Sequence, residues 1–116
     1  MILNPLQYQK INQYFAEYLQ WISESEDDGK VKWWKPGAKS GQVTLRFHDK
    51  WDWLLPVIEK ITSDNLYYTF TLGTKNCTLN MLDSELESHD EKTLILNTYN
   101  VCFQYLKQWK KTQQEE

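Results

Sequence analysis

The residues best suited to acid–base chemistry or metal binding lie near the middle of the chain. His48, Asp49 and Asp52 fall within one five-residue span. An imidazole and two carboxylates can move a proton or hold a metal ion, but a hydrolytic metal site needs further ligands. The second histidine, His89, is 41 residues away in an acidic stretch.

A structural role explains the same three residues more simply. His48 ends a predicted strand, Asp49 caps the helix that follows, and Asp52 lies in its first turn, where the helix dipole favours negative charge. We therefore expect no catalytic residue and no metal site.

Other motifs of enzymes and cofactor-binding proteins are missing from the sequence. The four glycines form neither a GxGxxG nor a GxxxxGK pattern, so no phosphate-binding loop is predicted. Cys77 and Cys102 lack the close spacing of metal or redox motifs and are expected to be buried free thiols. We predict a protein that is not an enzyme and binds no cofactor.

Two acidic stretches are candidates for binding a protein partner. They span 24–28, with four carboxylates, and 83–91, with five carboxylates and no Lys or Arg. Most acidic loops are merely solvated, but such a surface also attracts and selects a partner with a basic groove. The carboxylates expected to bind are Glu24, Glu26, Asp27, Asp28, Asp83, Glu85 and Glu87.

Adjacent tryptophans are the other candidate. Alternation in an extended segment puts Trp33 and Trp34 on opposite sides, so that one closes the core and the other is available to a partner, since Trp is enriched at interface hot spots. With Lys35, Lys39 and Arg46 they also suggest a stacking platform for single-stranded nucleic acid, although that needs a more basic groove.

The elements that must position these residues follow from hydrophobic periodicity. Asn4 and Pro5 form a typical helix start. The pattern predicts a mixed α/β (α+β) fold in the order α-β-α-β-β-α, with three helices packed on a small three-stranded sheet that contains a hairpin. The expected elements are a helix over 5–23, a strand over 43–47, a helix starting between 49 and 52, a hairpin of 66–72 with 77–82, and a helix over 90–111.

Further details concern the helix faces and ends. Trp51, Leu54, Leu55, Ile58 and Ile61 are expected to share the buried face of the second helix, in which Pro56 predicts a bend or a late start. Ser88 and Glu91 have the spacing of a capping box for the last helix. Its buried face is expected to include Ile95, Tyr99, Cys102, Leu106 and Trp109.

Composition limits the possible functions. The 116 residues predict a single domain over 1–112 with a frayed tail over 113–116. A net charge of −3 argues against generic binding to a phosphate backbone and favours a basic partner. The sequence has neither a long apolar run nor a signal-peptide pattern, so we expect a cytoplasmic protein that does not enter a membrane.

One segment carries a family resemblance. Phe47-His48, followed by Trp51-Asp-Trp-Leu-Leu-Pro-Val-Ile-Glu-Lys-Ile61, resembles the signature of small proteins in Bacteroidetes genomes and their phages, described as a phage alpha-beta-alpha sandwich family. The resemblance is close over about fifteen residues and looser elsewhere. It implies an N-terminal helix, a closing amphipathic helix and a phage or prophage setting, and it transfers no catalytic residue.

These observations favour a function in protein binding. By analogy of size and charge with phage anti-defence proteins, we expect a non-catalytic modulator of a host defence nucleic-acid enzyme, an anti-CRISPR-like inhibitor. Its partner would be a host protein with a basic surface, such as a CRISPR-associated nuclease or its RNA complex, in the cytoplasm of the bacterial cell. The alternative is an accessory protein that binds RNA or single-stranded DNA through Trp33, Trp34 and nearby cations.

Overall fold

A computed structural model describes residues 3–25, 29, 31–42 and 44–115 of the chain. The side chains of 114 and 115 are excepted. The helices are α1 (Pro5–Tyr18), α2 (Trp51–Asp64) and α3 (Leu94–Glu115). The strands are β1 (Ile22–Ser25), β2 (Val31–Trp34), β3 (Thr69–Leu72), β4 (Cys77–Asn80) and β5 (Glu85–Ser88).

The strands form two small antiparallel sheets. β1 pairs with β2, and β3, β4 and β5 form a three-stranded sheet in that order. α3 packs against β4 and β5, while α2 contacts β3 and α3. The predicted mixed α/β fold is confirmed, with three helices and a small three-stranded sheet containing a hairpin. The expected order of helices and β elements is also confirmed. Its first β element is the antiparallel pair of β1 and β2, and β5 follows the predicted hairpin of β3 and β4.

The first helix begins as predicted and ends earlier. Asn4 is the N-cap, and it exchanges hydrogen bonds with Gln7 in a capping box, at 2.8 and 2.9 Å. The helix ends at Tyr18 rather than near 23, because Gln20 adopts a positive φ of 64° that a helix does not allow. This reversal turns the Trp21 ring into the core.

The prediction of a strand over 43–47 is wrong for the residues that the structure describes, since 44–47 form no strand. Val43 lies outside the described residues. The side chain of Gln9 donates to and accepts from the backbone of Leu45 at 3.0 and 2.8 Å, and Asn12 also donates to the Leu45 carbonyl at 2.8 Å. Two amides of α1 therefore take the place of a neighbouring strand.

The second helix starts at Trp51 without a side-chain cap. The expected capping role of Asp49 is wrong, because its carboxylate pairs with Arg46 at 2.7 Å. Asp52 lies in the first turn as predicted, and Pro56 is inside the helix. The buried face centres on Leu54, Val57 and Ile61 rather than on Leu55, which is 44% exposed.

The last helix and the strand before it also differ in detail from expectation. Ser88 is a buried residue of β5 and not a helix cap; instead the Thr93 hydroxyl accepts from the Leu96 backbone at 3.3 Å. The predicted face of α3 is confirmed, with Tyr99, Cys102 and Leu106 buried. Cys77 and Cys102 are buried free thiols, as expected.

Helix length and hydropathy bear on membrane insertion. Within the described part of the chain, no helix combines the length and the apolar character needed to cross a bilayer.

Candidate functional site

The outer face of the three-stranded sheet is the first candidate. Register places Thr69, Asn80 and Glu85 in one row across the sheet and Thr71, Thr78 and Glu87 in the next. The opposite face of the same strands carries the buried Cys77, Leu79 and Ser88. The helices therefore cover one face only, and we call the six residues of the two rows the acidic face.

The segment 83–91 was predicted to be an acidic loop, and the structure instead makes part of it a strand. β5 takes Glu85 and Glu87 out of a loop and fixes both on the acidic face, about 7 Å apart along the strand. Asp83 lies in the preceding turn, in which the Met81 backbone donates to Ser84 at 2.9 Å. These three of the predicted partner-binding residues are brought together.

Three exposed apolar side chains lie at the end of this sheet that is formed by the row of Thr69, Asn80 and Glu85. Leu66 is 74% exposed, Tyr67 73% and Leu82 70%. Leu66 and Tyr67 precede β3, and Leu82 follows β4, next to the paired Thr69 and Asn80. We call these three residues the apolar end.

The backbone of Tyr67 is held in an unusual conformation. Its φ is +74°, which is unfavourable for a bulky residue. The turn is fixed by the Tyr68 backbone, which donates to the Asn65 carbonyl at 3.1 Å, and by the Asn65 amide, which donates to the Ile61 carbonyl and the Tyr105 hydroxyl, each at 2.8 Å. Strain that the surroundings maintain at an exposed residue is typical of binding sites.

The remaining predicted partner-binding residues belong to the other sheet or lie outside the described residues. Glu24 is exposed on β1, opposite Lys32. Glu26, Asp27 and Asp28 lie outside the described residues. The predicted alternation of the tryptophans is confirmed: Trp33 is in the core, at 7% exposure, and Trp34 is half-buried on the other side.

The cations expected beside the tryptophans do not form one platform with them. The Lys32 ammonium lies 5.8 Å from the Trp34 ring centroid. Lys35 lies over two different tryptophans, Trp21 and Trp53, and Arg46 pairs with Asp49. Stacking of bases needs open ring faces beside a basic groove, and the buried Trp33 offers none.

His48 lies in a groove of about 450 Å³ between α1 and the segment 44–49. Its ring stacks on Tyr8 with centroids 4.1 Å apart, and its Nδ1 is 3.1 Å from the Asn12 amide nitrogen. An amide nitrogen only donates, so Nδ1 accepts and the proton of the neutral ring is on Nε2.

No described group of three His, Cys, Asp or Glu side chains is arranged to hold a metal ion. Asp52 lines a separate cleft and does not join His48 and Asp49 in their groove.

The titration of His48 gives a first testable prediction. Burial lowers its pKa, an effect that the nearby Asp49 carboxylate opposes and that Arg46 reinforces. Below the pKa of an unfolded histidine, about 6.5, the unfolded chain therefore binds a proton that the folded chain resists. We expect the free energy of unfolding to fall as the pH drops from about 7 to about 5, measured by urea denaturation.

A single substitution tests this prediction. His48→Gln should flatten the pH dependence in that window, because the side chain no longer titrates. Equal slopes for wild type and His48→Gln would contradict a lowered pKa of His48.

Sequence reasoning missed the apolar end. The sequence pattern predicts that one hairpin strand starts at Leu66 and that the other ends at Leu82, whereas β3 starts at Thr69 and β4 ends at Asn80. The available signal was the run of three large residues, Leu66 to Tyr68, because at most alternate residues of a half-buried strand face the core.

Comparison with known proteins gives no relative for this chain. No family model matches it, and no curated protein or solved structure is significantly similar to it.

Proposed function

We propose that this chain is a non-catalytic protein-binding domain whose partner presents a basic surface to the acidic face and the apolar end. The observation that carries the proposal is the fixed, exposed Tyr67 beside a row that contains Glu85. An aromatic anchor next to charged residues is a common arrangement at protein interfaces.

Preorganisation supports a role for the apolar end in affinity. Tyr and other large side chains dominate the energy of many interfaces. A side chain on a turn that is already fixed loses less conformational freedom on binding than one on a mobile loop. The hydrogen bonds of Asn65 and Tyr68 fix the Tyr67 turn before any partner arrives.

Charge supports a role for the acidic face in partner choice. None of its six residues is a Lys or Arg, and Glu85 and Glu87 are exposed. Such charges speed the encounter with a basic partner and disfavour acidic ones, and they act less strongly at high salt.

The finer proposal concerns the identity of the partner. The resemblance of 47–61 to phage-associated proteins, together with small size and acidic charge, favours a phage- or prophage-derived modulator of a host defence nucleic-acid enzyme. We propose an anti-CRISPR-like inhibitor that binds a CRISPR-associated nuclease or its RNA complex in the bacterial cytoplasm.

Binding and DNA-cleavage assays with purified CRISPR-associated nucleases, with and without guide RNA, test the proposal. We expect wild type to bind one of them and lower its cleavage rate. Glu85→Gln/Glu87→Gln should slow association roughly tenfold at low salt and less at high salt. Tyr67→Gly should weaken binding about 30-fold, as expected for a hot spot, without loss of stability, because glycine adopts positive φ freely.

The matched control is Glu59→Lys. It changes the net charge by two, as the double variant does, but at an exposed position of α2. Its association rate should stay closer to that of wild type. An equal effect of Glu59→Lys, or full binding by Tyr67→Gly, would contradict the proposal that the partner binds the acidic face and the apolar end. Absence of binding to every nuclease would contradict the finer proposal.

The second candidate is an accessory protein that binds RNA or single-stranded DNA. The half-buried Trp34, with the Lys32 ammonium 5.8 Å from its ring centroid, is the observation that favours it. Gel-shift titrations with labelled RNA and DNA at two salt concentrations distinguish the two functions. Binding without a protein partner, weakened by Trp34→Leu and unaffected by Tyr67→Gly, would favour nucleic acid.

A further inference from the structure

A cleft lined by two tryptophans lies between the end of α1, the turn after β2 and the start of α2. Its volume is about 300 Å³. The half-buried Trp53 and Trp21, which is only 8% exposed, form its aromatic part. Their ring centroids are 5.5 Å apart and their planes are inclined by 47°. Phe47 packs beneath both, at 5.4 and 5.3 Å between centroids. The two indoles are thus held in place from the core side.

A cation of the chain itself already lies at this cleft. The Lys35 ammonium is 5.7 Å from the Trp21 centroid and 5.9 Å from the Trp53 centroid. Both distances fall within the range of about 6 Å over which the face of an indole attracts a cation. The pair of rings therefore has the chemistry of a cation site.

Lys35 is weakly held there. Its side chain is exposed, and in the described part of the chain no carboxylate lies within ion-pairing distance of it. At an exposed position, attraction to aromatic rings makes the contacting position of a cation only about two to five times more populated than it would be without the rings. A better-matched cation can displace it.

We propose that this cleft binds an arginine side chain of the protein partner, which replaces Lys35 over the half-buried Trp53 and beside the largely buried Trp21. Asp52, which also lines the cleft, supplies a carboxylate that pairs with the guanidinium. Arginine fits better than lysine, because its planar head stacks on aromatic rings and binds a carboxylate through two parallel hydrogen bonds. The inference rests on the proposed function in one respect, that the partner is basic.

Titration with a short peptide that contains a single arginine tests the cleft directly. The probe is a Gly/Ser peptide with arginine at its centre, and the matched peptide has citrulline there, which keeps the shape and lacks the charge. The readout is the indole NH signals of ¹⁵N-labelled protein. The Trp21 and Trp53 signals should shift with the arginine peptide alone, while those of Trp51 and Trp109 stay in place.

Exposed substitutions then identify the contacts. Lys35→Ala should tighten peptide binding about threefold by removing the competing cation. Lys39→Ala removes the same charge from an exposed position four residues further on and should tighten it less. Asp52→Asn, also at an exposed position, should weaken binding about fivefold.

Three results would overturn the inference: equal shifts with the citrulline peptide, shifts spread over all tryptophans, or an effect of Lys35→Ala no larger than that of Lys39→Ala. Failure of the cleft and failure of the proposed function are distinguishable. A peptide that does not bind, with nuclease binding still dependent on Tyr67, removes the cleft alone. A peptide that binds, with no protein partner found, removes the proposed function.

Discussion

Replacing Asn97 with leucine is expected to lower the free energy of unfolding by about 3 kcal/mol or more, because each buried polar group left unpaired costs about 1–3 kcal/mol. The Asn97 side chain is fully buried. Its oxygen accepts from the Ser88 hydroxyl at 2.8 Å and the Glu91 backbone at 3.0 Å, and its nitrogen donates to the carbonyls of Lys75, Glu91 and Thr93.

Urea denaturation followed by circular dichroism measures the effect, and two variants define its cause. Asn97→Asp keeps the acceptors but loses the donor group and places a charge among carbonyl oxygens, so we expect a loss at least as large. Asn80→Ala removes an amide from the outer face, where it makes one 3.4 Å hydrogen bond, and should change stability by less than about 0.5 kcal/mol. A small effect of Asn97→Leu would mean that water satisfies these groups.

The position of Asn97 gives the prediction a functional meaning. One amide of α3 joins the turn between β3 and β4, through Lys75, to the end of β5, through Ser88. These contacts fix the sheet that carries the acidic face. We therefore expect that a destabilised Asn97 variant also binds a partner less well, although Asn97 is buried and cannot touch it.

Local signals made much of the fold predictable. The Asn4–Pro5 helix start, the hairpin of β3 and β4, the buried face of α3 and the alternation of Trp33 and Trp34 all depend on residues close in sequence. Each was read from a short pattern whose physical cause is local: a cap, a turn or a periodicity.

Elements that depend on distant residues were not predictable. The polar β1 and β5 lack a hydrophobic pattern and form because β2 and β4 offer backbone partners. The loop 44–47 reads as a strand, yet its backbone bonds at Leu45 go to Gln9 and Asn12, 36 and 33 residues away. The same limit applies to the candidate site. Three of its acidic residues were predicted, but the position of Glu85 in the row next to the Tyr67 turn follows from the pairing of β3, β4 and β5.

The aromatic residue beneath the Trp21–Trp53 cleft is the second position at which we expect a large effect. Phe47 is fully buried, and its ring lies 5.4 Å from that of Phe15 and close to both cleft tryptophans. Phe47→Ala should lower the free energy of unfolding by about 3–5 kcal/mol, the usual cost of removing a buried phenylalanine. It should also shift tryptophan emission in the native state, because the two indoles lose the ring that supports them.

Leu55→Ala on α2 is the matched control. It removes a large apolar side chain that is 44% exposed, so the loss should be below about 1 kcal/mol, with unchanged native emission. Phe47 lies in a segment without regular structure, so a large effect there would mean that this segment keeps its position and leaves a cavity when the ring is removed. Comparable losses for the two variants would instead mean that the loop yields and the core closes over the missing ring, and that the cleft has no rigid floor.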